Sequence, residues 1–255
     1  MRRSLGILFG VANQMLFAYT VVHLFLFLNG GNVQATRGSL WIDAALALQF
    51  AIPHSLLLWP PVRARLRAWI AAEFYGCAFC TATCFSLLLM FWGWRSDARL
   101  LWEVEGTGRT IVRCAFLLSW GALVYSLWIS GLGRQTGWTT WYAWLRRVTP
   151  PRPEFAPQSW YRWLRHPIYL SFLGLLWFTP TMSLDRAVLT AVWTGYIFVG
   201  SRLKDLRLEA YIGEPYRAYQ SRVPGFPFVP FGPLGRRREH AAVAQTLESP
   251  VRRAA

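Results

Sequence analysis

Four stretches of mostly apolar residues, 5–28, 40–59, 71–92 and 111–130, each reach the length an α-helix needs to cross a bilayer, about 20 residues. Inside the hydrocarbon core each backbone N–H and C=O must find its partner within the segment, so a helix is the form such runs adopt. Two shorter apolar stretches, 168–179 and 187–200, are divided by Pro180 and the more polar run 181–186, and together they read as a helical hairpin. The expected fold class is therefore all-α, a polytopic membrane helix bundle of about six membrane segments. Only 15% of the residues are charged and 54% are hydrophobic, whereas soluble domains carry about 25% charged residues. That balance excludes a conventional cytosolic enzyme, a secreted disulfide scaffold and a disordered chain.

The net charge is nonetheless +15, and its distribution sets the orientation. Of the 27 basic residues, 21 fall on one side of the six segments: Arg2 and Arg3, then Arg63, Arg65 and Arg67, then six from Arg134 to Arg165 and ten from Arg202 onward. Five fall on the other side, at Arg37, Arg95, Arg99, Arg109 and Arg186, and Arg113 opens the fourth helix. Basic loops stay in the cytoplasm, so both termini are expected there. A cleaved leader fits poorly, because the first run is long, Asn13 and Gln14 interrupt it, and no small-residue cleavage site follows. The arginines are scattered between apolar runs rather than gathered on a polar domain, which argues against nucleic acid as a partner. Three regions follow: helices one to four over 1–131, a cytosolic loop, hairpin and C-terminal segment over 132–230, and a basic tail over 231–255 expected to be disordered.

Polar side chains at membrane depth are costly and mark sites by default. Asn13 and Gln14 fall in the cytoplasmic half of helix one, Gln49 and His54 in the middle and inner third of helix two, and Glu73 at the inner end of helix three. Pro53 frees the carbonyl of Gln49 and opens helix two beside His54. Asn13 and Gln14 are expected to bond across helices, and His23 is expected to pair with Asp43 in the outer halves of their helices. Cys77, Cys80 and Cys84 share one helix face without metal-knuckle spacing, so they read as packing and no metal is expected.

The densest chemistry lies between Tyr161 and Pro230. Arg165, His166 and Tyr169 stand where the loop enters the membrane, with Pro167 starting the helix. Asp205 and Arg207 emerge where the hairpin returns, and Tyr216, Arg217, Tyr219 and Arg222 follow on a short amphipathic helix. One histidine, one acid, tyrosines and arginines thus converge on the cytoplasmic face and suit a ligand with both a carboxylate and a positive centre.

The pattern Arg165-His166-Pro167-x-Tyr169, a hairpin, then Gly213-x-x-Tyr216-x-x-Tyr219-x-x-x-Val223-Pro224 resembles the isoprenylcysteine carboxyl methyltransferase superfamily of membrane enzymes. Leu48-Gln49 with His54-Ser55, Phe91-Trp92-x-Trp94-Arg95, Gly131 to Gln135 and Thr179-Pro180-Thr181-Met182 look more like one branch. That branch holds the bacterial methanethiol S-methyltransferases and the related nitrite/nitric-oxide reductase accessory membrane proteins. The chain departs from the superfamily where a Glu-Glu pair is usual, having Lys204 and Asp205. It also has Ser126-Leu127-Trp128-Ile129 where the methanethiol enzymes carry Asn-His-Phe-Asp.

The resemblance implies S-adenosylmethionine as cofactor, a bacterial inner-membrane location, and in-line transfer of a methyl group from a sulfonium to a small thiol, methanethiol giving dimethyl sulfide. Arg165, His166, Pro167, Tyr169, Asp205, Arg207, Tyr216, Tyr219 and Arg222 are then the expected cofactor-binding residues, with Arg165 on the carboxylate and Tyr169 and Tyr216 against the adenosine. His54, His166 and Arg165 are the expected catalytic residues, either histidine taking the thiol proton. Positioning the two reactants supplies about 7–11 kcal/mol of such a barrier. Two alternatives stand beside this: a methyltransferase for a lipidic acceptor such as a prenylcysteine carboxylate or a phospholipid amine, and a non-enzymatic accessory membrane protein. Heme is disfavoured, because His23, His54 and His166 lie at different depths.

Overall fold

The computed structural model describes residues 3–30, 39–151 and 154–237. The four long apolar runs are helices α1 (Arg3–Leu28), α2 (Leu40–Leu58), α4 (Tyr75–Gly93) and α5 (Gly106–Ile129), with the short α3 (Pro60–Leu66) following α2. All four long helices are long and apolar enough to cross a membrane, and between 17% and 28% of each apolar stretch is buried in the protein. The rest of their surface, including Leu8, Met15, Phe85, Leu118 and Trp128, is apolar and exposed, which suits hydrocarbon and not water. This is an integral membrane protein.

The loop after α5 carries α6 (Leu132–Gln135), α7 (Trp138–Arg146) and a 3₁₀ turn at Ser159–Arg162. Helix α8 (Pro167–Trp177) has eleven residues, about 16 Å of rise, half a hydrocarbon core. Helix α9 (Leu184–Ile212) runs on well past the apolar stretch 187–200, so Lys204, Asp205 and Arg207 ride on its extension. Gly213, at φ +74°, turns the chain into α10 (Glu214–Arg222), a backbone conformation that side-chain-bearing residues resist.

Helix α1 packs on α4, α2 on α4 and α9, and α5 on α8, which returns against α9. Leu24, Ala47, Met90, Phe116, Leu175 and Trp193 centre the shared core. One element is not helical. β1 (Leu100–Glu103) pairs antiparallel with β2 (Thr181–Ser183), Leu100 opposite Ser183 and Trp102 opposite Met182. This ladder ties the α4–α5 loop to the α8–α9 loop, and its four- and three-residue strands are too short to stand out as alternation in the sequence.

The membrane-depth polar groups divide by end. Toward the end that carries α6 and α7, Asn13 Nδ2 donates to the Thr136 carbonyl at 2.9 Å, Gln14 Nε2 reaches the same oxygen at 3.4 Å, and Thr81 Oγ1 donates to Asn13 Oδ1. The expected cross-bonding thus runs largely to the 130–137 loop. Toward the opposite end the expected His23–Asp43 pair does not form. His23 Nδ1 lies 3.0 Å from the Tyr19 carbonyl and its ring contacts the Tyr19 ring, while Asp43 accepts the Arg95 backbone N–H at 2.9 Å. A carbonyl one turn away and the start of the next loop are nearer partners than a second helix. The three clustered cysteines are buried in α4, and no metal-holding cluster of side chains occurs among the described residues.

Candidate functional site

Two adjoining clusters occupy the end of the bundle where α8 begins and α9 runs on past its apolar stretch. The first is a buried knot around Asp205. Arg165, His166 and Asp205 are 3%, 0% and 0% exposed. Arg165 Nη2 donates to Asp205 Oδ2 at 2.9 Å, and Tyr216 Oη donates to Oδ1 at 2.5 Å. Arg165 Nη1 donates to the carbonyls of Val223 at 2.7 Å, Gly235 at 2.9 Å and Gln220 at 3.3 Å. The expected role of Arg165 on a cofactor carboxylate is therefore not what its contacts describe: its fork is filled by this chain's own acceptors, and it clamps α9, α10 and the segment after α10 together.

His166 Nε2 lies 3.2 Å from Asp205 Oδ2, within ion-pair distance, while buried Nδ1 has no hydrogen-bond partner among the described residues. Burial pulls the His166 imidazole below its ordinary value, opposed by the Asp205 carboxylate. Burial pushes the Asp205 carboxyl up, but His166, Arg165 and the Tyr216 hydroxyl outweigh it and hold it at about 2. The pair is a neutral imidazole beside an ionised carboxylate. Pro167 is buried at the first turn of α8, behind His166.

The second cluster lies between α2, α8 and α9. His54 Nδ1 and Tyr196 Oη are 2.7 Å apart, and Ser55 Oγ donates to Tyr196 Oη at 3.3 Å. With Nδ1 unprotonated, the Tyr196 hydroxyl can donate to His54; with Nδ1 protonated, the imidazole donates to the phenol. The carbonyl of Gln49, which Pro53 leaves without its helical donor, receives Ser86 Oγ at 3.4 Å, and Gln49 Nε2 donates to the same hydroxyl at 2.6 Å. Phe50 and Phe79 flank the His54 ring. Tyr169 Oη donates to the Gly200 carbonyl, and Lys204 Nζ sits 5.5 Å from the Tyr169 ring centre and 5.9 Å from that of Tyr161. Arg207 is half-buried, and its charge reaches His54, Tyr169, Tyr196 and Lys204.

The structure thus gathers His54, Tyr169 and Arg207 in one cluster and Arg165, His166, Pro167, Asp205 and Tyr216 in the other. Tyr219 is buried against Phe155 and donates to the Tyr161 carbonyl, holding the loop before α8. Arg222 falls outside both clusters. It is exposed, and its Nε donates to the Ala218 carbonyl of its own helix, as a cation in a last turn does. Tyr196 was missed as a site residue. Its signal was the stripe Tyr196, Gly200, Lys204 and Arg207, spaced by four, four and three along α9.

A polytopic helical membrane protein with a histidine–tyrosine pair and a buried arginine–aspartate knot at one end is the class these features define. The chain is similar to methanethiol S-methyltransferases: 28% identical over 233 residues to that of a Pseudomonas strain, covering 86% of this chain and 88% of that protein. Methanethiol S-methyltransferase 1 of Bradyrhizobium diazoefficiens is 28% identical over 241 residues, covering 87% of this chain and 81% of its own length. Nurim of Xenopus laevis is 28% identical over 179 residues, covering 67% and 62%. No family model matches the chain, and no solved structure matches it. The resemblance read from the C-terminal motif thus extends over most of the chain, a membrane protein similar to methanethiol S-methyltransferases.

Proposed function

We propose that this protein is an S-adenosylmethionine-dependent methyltransferase of the bacterial inner membrane that methylates a small thiol, converting methanethiol to dimethyl sulfide. In this reading both termini are cytoplasmic, with α8 and the first half of α9 as the fifth and sixth membrane segments. What supports it most is the similarity to methanethiol S-methyltransferases over 86% of the chain.

The side chains present fit the cofactor. The Tyr161 and Tyr169 faces already hold a cation, the Lys204 ammonium, and such faces suit a sulfonium equally. S-adenosylmethionine, when bound, supplies an electrophilic methyl group. The chain's own part is to form and hold the thiolate. Tyr196 takes the thiol proton as it passes its own to His54 Nδ1 across the 2.7 Å contact, and Arg207 and Lys204 favour the anion so formed. The aromatic walls of Phe50 and Phe79 keep water from His54. The Arg165–Asp205 knot acts at one remove: it fixes α10 and the returning segment against α9 and so sets the positions of Tyr169 and Lys204. General-base assistance of this kind contributes about 10²–10⁴-fold.

The test is headspace analysis of a heterologous host expressing the chain and fed methanethiol, beside an empty vector and the variants His54→Ala and Tyr196→Phe. Dimethyl sulfide that depends on the chain and falls in both variants is the expected result. A folded, well-expressed protein that binds S-adenosylmethionine and yields no dimethyl sulfide would eliminate methanethiol and redirect the search to lipidic acceptors. Absence of binding would sink the methyltransferase reading itself.

A further inference from the structure

A cavity of about 480 Å³ opens beside the buried knot, and neither His54 nor Tyr196 lines it. It is lined by Arg165, Arg202, Arg237, Gln220 and the turn Phe231, Gly232 and Pro233. That volume lies within the range of small-ligand sites, about 300–1,000 Å³. Its lining holds three guanidinium groups and no carboxylate.

The acids close by are already engaged. Asp205 is bonded to Arg165 and Tyr216, and Glu209 to Arg217 and Arg237. Arg202 makes no hydrogen bond or ion pair among the described residues, and the deeply buried Arg165 keeps an unpartnered Nε. Gln220, 1% exposed, is pinned by Arg237 at its side-chain oxygen, 3.4 Å away, and at its backbone carbonyl, 3.0 Å away. Arg165 and Arg237 each face an acid already, which leaves Arg202 as the cation of the lining with no ion pair among the described residues, and an anion in the cavity pairs it. Planar guanidinium forks select an oxyanion with several acceptor oxygens. Gly232 presents no side chain to the cavity, which leaves room for a tetrahedral group.

The surroundings are interfacial. Arg202 follows directly on the apolar stretch 187–200, and Phe228 and Phe231 are each 57% exposed beside the cavity. Basic pockets with apolar rims at the end of a membrane helix suit anionic headgroups.

We propose that this cavity is a phosphate-binding site, held by Arg202 and Arg237, for the phosphate of an anionic phospholipid or of a soluble phosphate compound. It is separate from the methyl-transfer site proposed above and does not depend on it.

The test uses the full chain purified in a phosphate-free maltoside detergent. Inorganic phosphate at constant ionic strength, and separately short-chain phosphatidylglycerol, are titrated while thermal stability and tryptophan fluorescence are followed. Saturable stabilisation by at least one probe is expected, with affinity falling about tenfold or more in Arg202→Gln and in Arg237→Gln, the loss of one charge-assisted contact. A response to inorganic phosphate identifies a soluble source, and a response to the lipid alone identifies the headgroup. Neither probe binding saturably would overturn the proposal, as would unchanged affinity in both variants. Displacement of phosphate by S-adenosylmethionine would also overturn it, because the cavity would then belong to the cofactor. Each variant's melting temperature without probe separates lost binding from lost fold.

Discussion

Tyr216 donates its phenolic proton to Asp205 Oδ1 at 2.5 Å, across eleven residues and the Gly213 turn, while Arg165 holds the other carboxylate oxygen at 2.9 Å. Both oxygens of the one buried acid are thereby satisfied from different directions, and α9, α10 and the loop before α8 meet at a single carboxylate.

Removing either partner leaves a buried group unpaired. Tyr216→Phe is expected to cost about 1–3 kcal/mol, the penalty of one buried unsatisfied acceptor. Asp205→Asn, which strands the Arg165 charge, should cost about 3–5 kcal/mol. Thermal unfolding in detergent orders the two. A Tyr216→Phe protein as unstable as Asp205→Asn would show that the phenol, and not the ion pair, holds the knot.

Acid should act in two stages. His166 sits below its ordinary value near 6.5, so the unfolded chain takes up that proton first. Stability is full above pH 6.5 and declines as pH falls from there toward the lowered folded value. Asp205 is held at about 2 against an ordinary 3.8, so its contribution is full above about pH 4 and is lost as pH falls toward 2, about 2 kcal/mol in all. Stability measured from pH 8 to pH 3 should show both declines, and His166→Asn should abolish the upper one and shrink the lower, because His166 helps to hold Asp205 down. A single decline near pH 4 in the wild type would contradict the buried neutral imidazole.

The His54–Tyr196 pair carries a kinetic prediction. Tyr196→Phe keeps the ring and removes the hydroxyl, so binding of S-adenosylmethionine should be nearly unchanged while kcat falls about 10²-fold. Activity of the variant should recover at high pH, where the thiol ionises without help. A variant that weakened cofactor binding and left kcat intact would assign the tyrosine to the cofactor instead.

Gly137 marks where the loop between α6 and α7 touches the bundle. It adopts φ +78°, and a Cβ there would stand 2.2 Å from the Cys77 backbone nitrogen. Gly137→Ala must therefore push the loop off α4 and break the Asn13–Thr136 bond beside it. We expect a loss of about 3 kcal/mol or more, combining overpacking with backbone strain. Retention of wild-type stability would mean that the loop does not seat against α4 in this way.

The sequence by itself determined the membrane character and the four long helices, because a helix is the only open-ended backbone form that satisfies its own polar groups in hydrocarbon. It also marked the residues of the knot, since a buried acid near arginines and tyrosines is legible from composition and spacing. Their roles were not legible. Arg165 looked free to meet a ligand, yet five carbonyl and carboxylate acceptors converge on it from α9, α10 and residues 223–235. Those partners are set by where the chain returns after Pro224, a consequence of packing and not of local propensity. The tail expected from residue 231 likewise begins as a turn, Phe231 bridged to Arg236, which lines the arginine cavity; residues 238–255 lie outside those described. Tertiary structure alone brought Tyr196 to His54 across 142 residues. The reason is physical: a proline-opened turn on α2 and a tyrosine stripe on α9 are each ordinary features of a membrane helix, and only the packing of α2 against α9 makes them one site.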